Sequence, residues 1–174
     1  MSVHSDQIKA GQIAVKTREM VENHNLVNQS ISEICDMVEG KIKKLGGELA
    51  FPCNVSLNEV AAHCTAGLDD NAEIVEEGDL VTIDLGVHIN GYIADTATTI
   101  SYNSDYDVLN QAAKETLKAA IKKVKRDVSA GEIGRIISET AERWGFRPIS
   151  NLTGHSTDQY TIHAGVSIPN VWVP

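Results

Sequence analysis

The sequence predicts an α+β fold, an antiparallel sheet backed by two helix pairs, on three observations. Hydrophobic residues make up 42% of 174, enough for the core of one ordinary domain. A helix, helix, glycine stop, aromatic-proline order runs twice along the chain. Between the two runs lies a stretch of strict apolar–polar alternation. Charge narrows the function classes: 15 Lys+Arg against 24 Asp+Glu leave −9, which works against binding nucleic acid or an anionic membrane. No apolar run approaches the ~18 residues of a membrane span. The start, MSVHSDQIKAG, lacks the basic and apolar regions of a signal peptide. Cys35, Cys53 and Cys64 are odd in number and follow no metal-ligand spacing, so they read as reduced thiols of a cytoplasmic protein.

The first helix spans Ser5 to about Val21, with Ile8, Ile13, Val15 and Met20 as a loose apolar stripe. A capping box, Ser30 with Glu33, starts the second. Its face is Ile31, Ile34, Cys35, Val38, Ile42 and Leu45, and Gly46-Gly47 ends it. Lys41, Lys43 and Lys44 suit the negative end of the helix dipole. An extended stretch, ELAFPCNVSLNEVAAH, follows, broken by Pro52. The same order then returns. A long helix from about Asp105 to Lys125 carries Leu109, Ala112, Ala113, Leu117, Ala120, Ile121 and Val124. A shorter one, Glu132 to Trp144, carries Ile133, Ile136, Ile137, Ala141 and Trp144 before Gly145. FRPISNLTGHSTDQYTIHAG is again extended. Both halves end in Asn-x-Ser/Thr and a histidine: Asn54 and Ser56 with His63, Asn151 and Thr153 with His155. The order reads as internal duplication or as coincidence within one α+β domain.

Between the halves, Val81, Ile83, Leu85, Val87 and Ile89 alternate with Thr82, Asp84, Gly86 and His88, and Asn90-Gly91 is a favoured two-residue hairpin turn. If Ile89 pairs with Tyr92, then Asp84 faces Ala97 and Gly86 faces Asp95. That register makes Asp84 and Asp95 diagonal neighbours on one face, Cα atoms ~7–8 Å apart, with Gly86 leaving room above the backbone. At ~4–5 Å and an effective dielectric near 20, two such carboxylates repel by roughly 3–4 kcal/mol. A shared proton or a divalent metal pair offsets that cost, or both groups are solvated on an open face. His63, His155 and His163 lie in Gly/Ala-flanked extended segments and favour a metal-capable cleft. His4, His24 and His88 read as structural or surface residues, with His88 near the hairpin tip.

The segments AFPCNVSLNEVAAH, IDLGVHINGYIADTA and NLTGHSTDQYTIHAG resemble the type 2 methionine aminopeptidases, the archaeal and eukaryotic class of the pita-bread metallopeptidases. The resemblance covers nearly the whole chain. It implies a pita-bread fold whose C-terminal strands are missing. Residues 1–174 would then form a single, incomplete catalytic domain, with 1–103 the first pseudo-symmetric half and 104–174 the start of the second. It further implies two divalent ions (Co, Mn, Fe or Zn) held by Asp84, Asp95 and His155, with Asp95 bridging. His63 would lie near the substrate amine, and His163 would hydrogen-bond the scissile amide. Phe51 and Ile162 would wall the methionine pocket. The reaction implied is removal of the initiator methionine from nascent peptide N-termini by metal-hydroxide attack.

The family pattern has two further glutamate ligands beyond the equivalent of Pro174, so a truncated chain, weak or inactive alone, is expected. Unpaired apolar surface is expected around Val166, Ile168, Val171 and Trp172, and with it a homodimer or a complementing C-terminal polypeptide. Cys64 stands where the family usually has tyrosine. The alternative is a non-catalytic binding protein on the same fold, as in growth-regulatory relatives that bind ribosomes or RNA. Asp95, the absence of a basic patch and the net charge of −9 argue against it.

Overall fold

The helix and hairpin signals become two compact units, described here from a computed structural model covering residues 3–67 and 73–173. The first unit holds Met1–Ser104 with Thr157–Ile162, and the second holds Asp105–Ser156 with His163–Pro174.

In the first unit, helices α1 (Ser5–Glu22) and α2 (Ile31–Lys44) back a three-stranded antiparallel sheet of β1 (Glu48–Leu57), β2 (Leu80–Ile89) and β3 (Tyr92–Ser101), in the order β1-β2-β3. The Ser30–Glu33 capping box is complete: Glu33 N–H donates to Ser30 Oγ (3.2 Å), and Ser30 N–H donates to Glu33 Oε2 (2.8 Å). α2 buries the expected Ile31, Ile34, Cys35, Val38 and Ile42. α1 buries the expected stripe only in part: Ile13 is buried and Met20 packs against the core. Ala10, Ile13, Ala14, Thr17 and Val21 face the core, while Ile8 and Val15 are exposed. Small alanines allow the close approach, and Thr17 Oγ1 donates to the Ile13 carbonyl, so its hydroxyl enters the core satisfied. Side-chain hydrophobicity alone therefore locates the buried face of α1 only in part.

Pro52 does not break the strand. β1 runs through it, with register shifts between Leu49 and Phe51 and between Phe51 and Asn54. An irregular edge strand is where a missing N–H is tolerated. The β2–β3 register matches expectation throughout: Ile89 opposes Tyr92, Gly86 opposes Asp95 and Asp84 opposes Ala97. Val81, Ile83, Leu85 and Val87 are fully buried against the helices with Val55 and Leu26.

In the second unit, α3 (Asp107–Lys123) and α4 (Ala130–Arg143) accompany a short antiparallel pair, β4 (Thr153–His155) and β5 (Ser167–Pro169). Most of FRPISNLTGHSTDQYTIHAG is turn and loop rather than strand. α4 buries Ile133, Gly134, Ile137, Thr140 and Ala141, whereas Trp144 is exposed. α3 buries only Ala112 and Ala120 of its seven-residue stripe. Leu117 is 57% exposed and Ile121 62%. The apolar surface expected near the C-terminus is partly covered, because Ile168 packs against Ala120, Ile133 and Ile137. Gly134 lets the backbone after β5 come close to α4: a Cβ there would lie 2.2 Å from the Val171 carbonyl oxygen.

Candidate functional site

β2 and β3 carry Asp84 and Asp95 on the same sheet face, opposite the one that meets the helices. Asp84 is half-buried and Asp95 exposed. β1 adds Phe51 opposite Gly86 and Asn54 opposite Asp84, so the transverse rows read Phe51–Gly86–Asp95 and Asn54–Asp84–Ala97. The room expected above Gly86 is taken: a Cβ there would fall 2.3 Å from Phe51 Cε1. The glycine thus lets the aromatic ring approach the strand closely, in the row that holds Asp95. Asn54 as a neighbour of Asp84 was hidden in the sequence, because the two register shifts in β1 upset simple alternation.

His63 is exposed, on the loop after β1, in the left-handed region at φ 61. For a non-glycine residue that conformation costs of order 1–3 kcal/mol and is a common mark of functional loops. The loop returns to the strand, where Val55 N–H donates to the Cys64 carbonyl (2.7 Å) and Thr65 Oγ1 to the Cys53 carbonyl (2.7 Å). His63 thus stands on the surface of the unit rather than in an enclosed cavity. Ile162 is half-buried.

In the second unit, His155 ends β4 half-buried and His163 is exposed. Their rings approach with centroids 4.2 Å apart, tilted by 60°. Ser156 joins the backbone between them: its N–H donates to the Val166 carbonyl (2.9 Å) and its carbonyl accepts from Ala164 N–H (2.8 Å).

The donors divide into a carboxylate pair in one unit and an imidazole pair in the other. Carboxylate oxygens and imidazole nitrogens are donor types that divalent metal ions accept, so each pair by itself fits such an ion in chemistry. Among the described residues, no three His, Cys, Asp or Glu side chains gather into a group that would hold a metal ion. The cysteines are thiols: Cys35 and Cys53 are buried and Cys64 half-buried. The hydrogen bond with Cys35, together with burial, pushes the Cys53 thiol up, so it stays protonated. His88 lies at the hairpin end of the same face, its Nδ1 accepting from Gly91 N–H (3.2 Å), a structural role as expected. None of the described helices is long and apolar enough to cross a membrane.

Residues 7–173 match the model of metallopeptidase family M24. The chain is 46% identical over 165 residues to a methionine aminopeptidase of Methanocaldococcus jannaschii, covering 95% of this chain and 56% of that one. It is 41% identical over 176 residues to a methionine aminopeptidase of Methanothermus fervidus, covering 94% and 93%. Among solved structures, a methionine aminopeptidase from Thermotoga maritima superposes with a TM-score of 0.88 at 27% identity, covering 99% of this chain and 74% of that one. A prolidase from Pyrococcus furiosus does so with a TM-score of 0.82 at 26% identity, covering 96% and 51%. The chain spans about half the length of several curated relatives it matches, 56% in the Methanocaldococcus case. The fold is that of these pita-bread enzymes, and the chain belongs to metallopeptidase family M24, whose chemistry implies divalent metal cofactors.

Proposed function

We propose that this chain serves the removal of the initiator methionine from nascent polypeptide N-termini in the cytoplasm, as a type 2 methionine aminopeptidase. The observation that carries the reading is the pairing of Asp84 and Asp95 on one face of a hairpin, in an M24 chain with relatives named methionine aminopeptidase. Asp84, Asp95 and His155 would hold two divalent ions drawn from Co, Mn, Fe or Zn. Bound there, the ions supply Lewis-acid polarisation of the scissile carbonyl and lower the pKa of a water. His63 orients the substrate amine from a loop whose backbone is left-handed at that residue. His163 donates a hydrogen bond at the scissile amide as charge develops there. Phe51, close over Gly86, and Ile162 wall the methionine side chain.

The two remaining carboxylate ligands of the family's pattern come, in this reading, from a complementing polypeptide segment. Its seat is the apolar side of α3, where Leu109, Leu117, Ile149 and Leu152 line a groove of about 400 Å³ in the second unit. The Methanocaldococcus relative, of which this chain covers 56%, has the further length such an occupant would match, and a homodimer is the competing outcome in sedimentation. The test is cleavage of a Met-Ala-Ser peptide with Co²⁺ or Mn²⁺, by the chain alone and mixed with the unmatched region of the Methanocaldococcus relative. Metal-dependent cleavage is expected, lowered in Asp84→Asn and Asp95→Asn by more than about 100-fold, beyond the range for residues that merely support a ligand. No cleavage in either arm, with no metal bound in a calorimetric titration, would overturn it. That outcome is the one expected of a non-catalytic protein on this fold.

A further inference from the structure

The segment Thr157–Ile162 belongs with the first unit, although the residues on both sides of it belong with the second. Its tip is closed on itself: Asp158 N–H donates to the Thr161 carbonyl (2.9 Å), and Thr161 N–H donates back (3.0 Å). From that tip Tyr160 projects in the left-handed conformation, φ 55, onto the Asn90–Gly91 turn. Tyr160 N–H donates to the Gly91 carbonyl (2.8 Å), and Gln159 Nε2 donates to the Asn90 carbonyl (2.9 Å). The ring lies so close over Gly91 that a Cβ there would stand 2.4 Å from Tyr160 Cδ2. The His88 ring meets it edge-on at 5.7 Å. From its other side the same turn is tied to α1, Asn90 Nδ2 donating to Asp6 Oδ2 (2.9 Å).

Tyr160 is 71% exposed, so this arrangement does little for a core. A large aromatic in a costly backbone conformation, laid on a glycine that only a bare Cα permits, points to a positional role. This segment lies between His155 and His163: His163 follows Ile162 directly, and only Ser156 separates His155 from Thr157. We infer that Tyr160 is a positioning residue, whose ring docked on the Asn90–Gly91 turn limits the freedom of the loop carrying His155 and His163. The inference rests on the proposed reading of those histidines as ligand and hydrogen-bond donor, and it adds the residue that holds them.

The test uses the whole 174-residue chain. Tyr160→Asn removes the ring while keeping a side chain that tolerates the left-handed region, and Tyr160→Phe keeps the ring. Each variant is read by ¹⁵N relaxation across the loop, by proton NOEs between the two imidazoles, and by a Co²⁺ titration. Tyr160→Asn is expected to raise loop mobility, to weaken the His155–His163 NOEs and to lower Co²⁺ affinity about 10-fold, as for residues that support a ligand. Tyr160→Phe is expected to match the parent in all three. Unchanged NOEs and relaxation in Tyr160→Asn, or equal losses in Tyr160→Phe, would overturn the inference. If the parent chain binds no Co²⁺ even with the complementing segment added, the aminopeptidase reading fails, while relaxation and NOEs still decide whether Tyr160 holds the loop.

Discussion

Both units begin with a helix pair, and both pairs advertise an apolar stripe in the sequence, but the structure treats the stripes differently. In the first unit α1 and α2 press on three long strands, and β2 is buried residue by residue on that side. In the second, the strands span three residues each, and the apolar row of α3 stands open at Leu117 and Ile121. A periodic stripe therefore records a demand for cover, and whether the cover is present depends on what else folds against it. The difference also locates stability. A fully packed aliphatic core resists loss of a methyl group, whereas an open helix face has already forgone that contribution.

The sharpest way to break this contrast is a matched pair of truncations. Leu85→Ala, at a fully buried position of β2, is expected to cost about 3–4 kcal/mol in urea unfolding, because the cavity cannot collapse between sheet and helices. Leu117→Ala on α3 is expected to fall within about 0.5 kcal/mol of the parent. A loss at Leu117 approaching that at Leu85 would mean that its face is covered in solution. Sedimentation of the same sample would then show an assembly larger than one chain.

The parts that were legible in the sequence are those where local chemistry and burial agree. The capping box and face of α2 and the whole register of the hairpin follow from residues whose local preference matches their environment. The stripe of α1 is legible only at Ile13 and Met20, because close packing there selects alanine and a back-bonded threonine over larger aliphatics. β1 was misread at Pro52, where an edge strand absorbs a missing donor through irregular register. At the site, the shared face of Asp84 and Asp95 could be read from alternation and one turn. Phe51 over Gly86 could not, because the partner strand lies outside the hairpin and is out of simple register. Tyr160 over Gly91 joins positions far apart in the chain, and no local pattern announces such a contact.

A smaller contrast lies at the helix starts. Ser30 both accepts from Glu33 N–H and is reached by the Glu33 carboxylate, which takes the Ser30 N–H and hydroxyl. Ser129 accepts from Glu132 N–H (3.2 Å), but the Glu132 carboxylate turns to Arg135 (3.0 Å) and Lys123 (3.5 Å) instead. Ser30→Ala is accordingly expected to cost about 1–2 kcal/mol and Ser129→Ala about 0.5–1 kcal/mol, read as chemical-denaturation midpoints. Equal costs would indicate that the reciprocal bond adds nothing to the simple cap.

The two glutamates carry the same contrast into pH and salt. Glu33 lies below the usual carboxylate range because the Ser30 backbone N–H, then its hydroxyl, hydrogen-bond the charged form. Glu132 is lowered by the Arg135 guanidinium first and by Lys123 after it. In both cases the folded pKa is depressed, so each contribution is present above the unfolded pKa and is lost as pH falls through the folded one. Their partners differ in charge, and salt separates them. Raising salt from about 0.1 M to about 1 M shrinks the Debye length from roughly 10 Å to 3 Å and screens exposed ion pairs. A carbon-detected carboxyl titration should therefore show the Glu132 midpoint climbing toward its ordinary value in high salt while that of Glu33 stays low. If both midpoints climb together, Ser30 is not what holds the Glu33 charge, and the α2 start relies on the same screened electrostatics as α4.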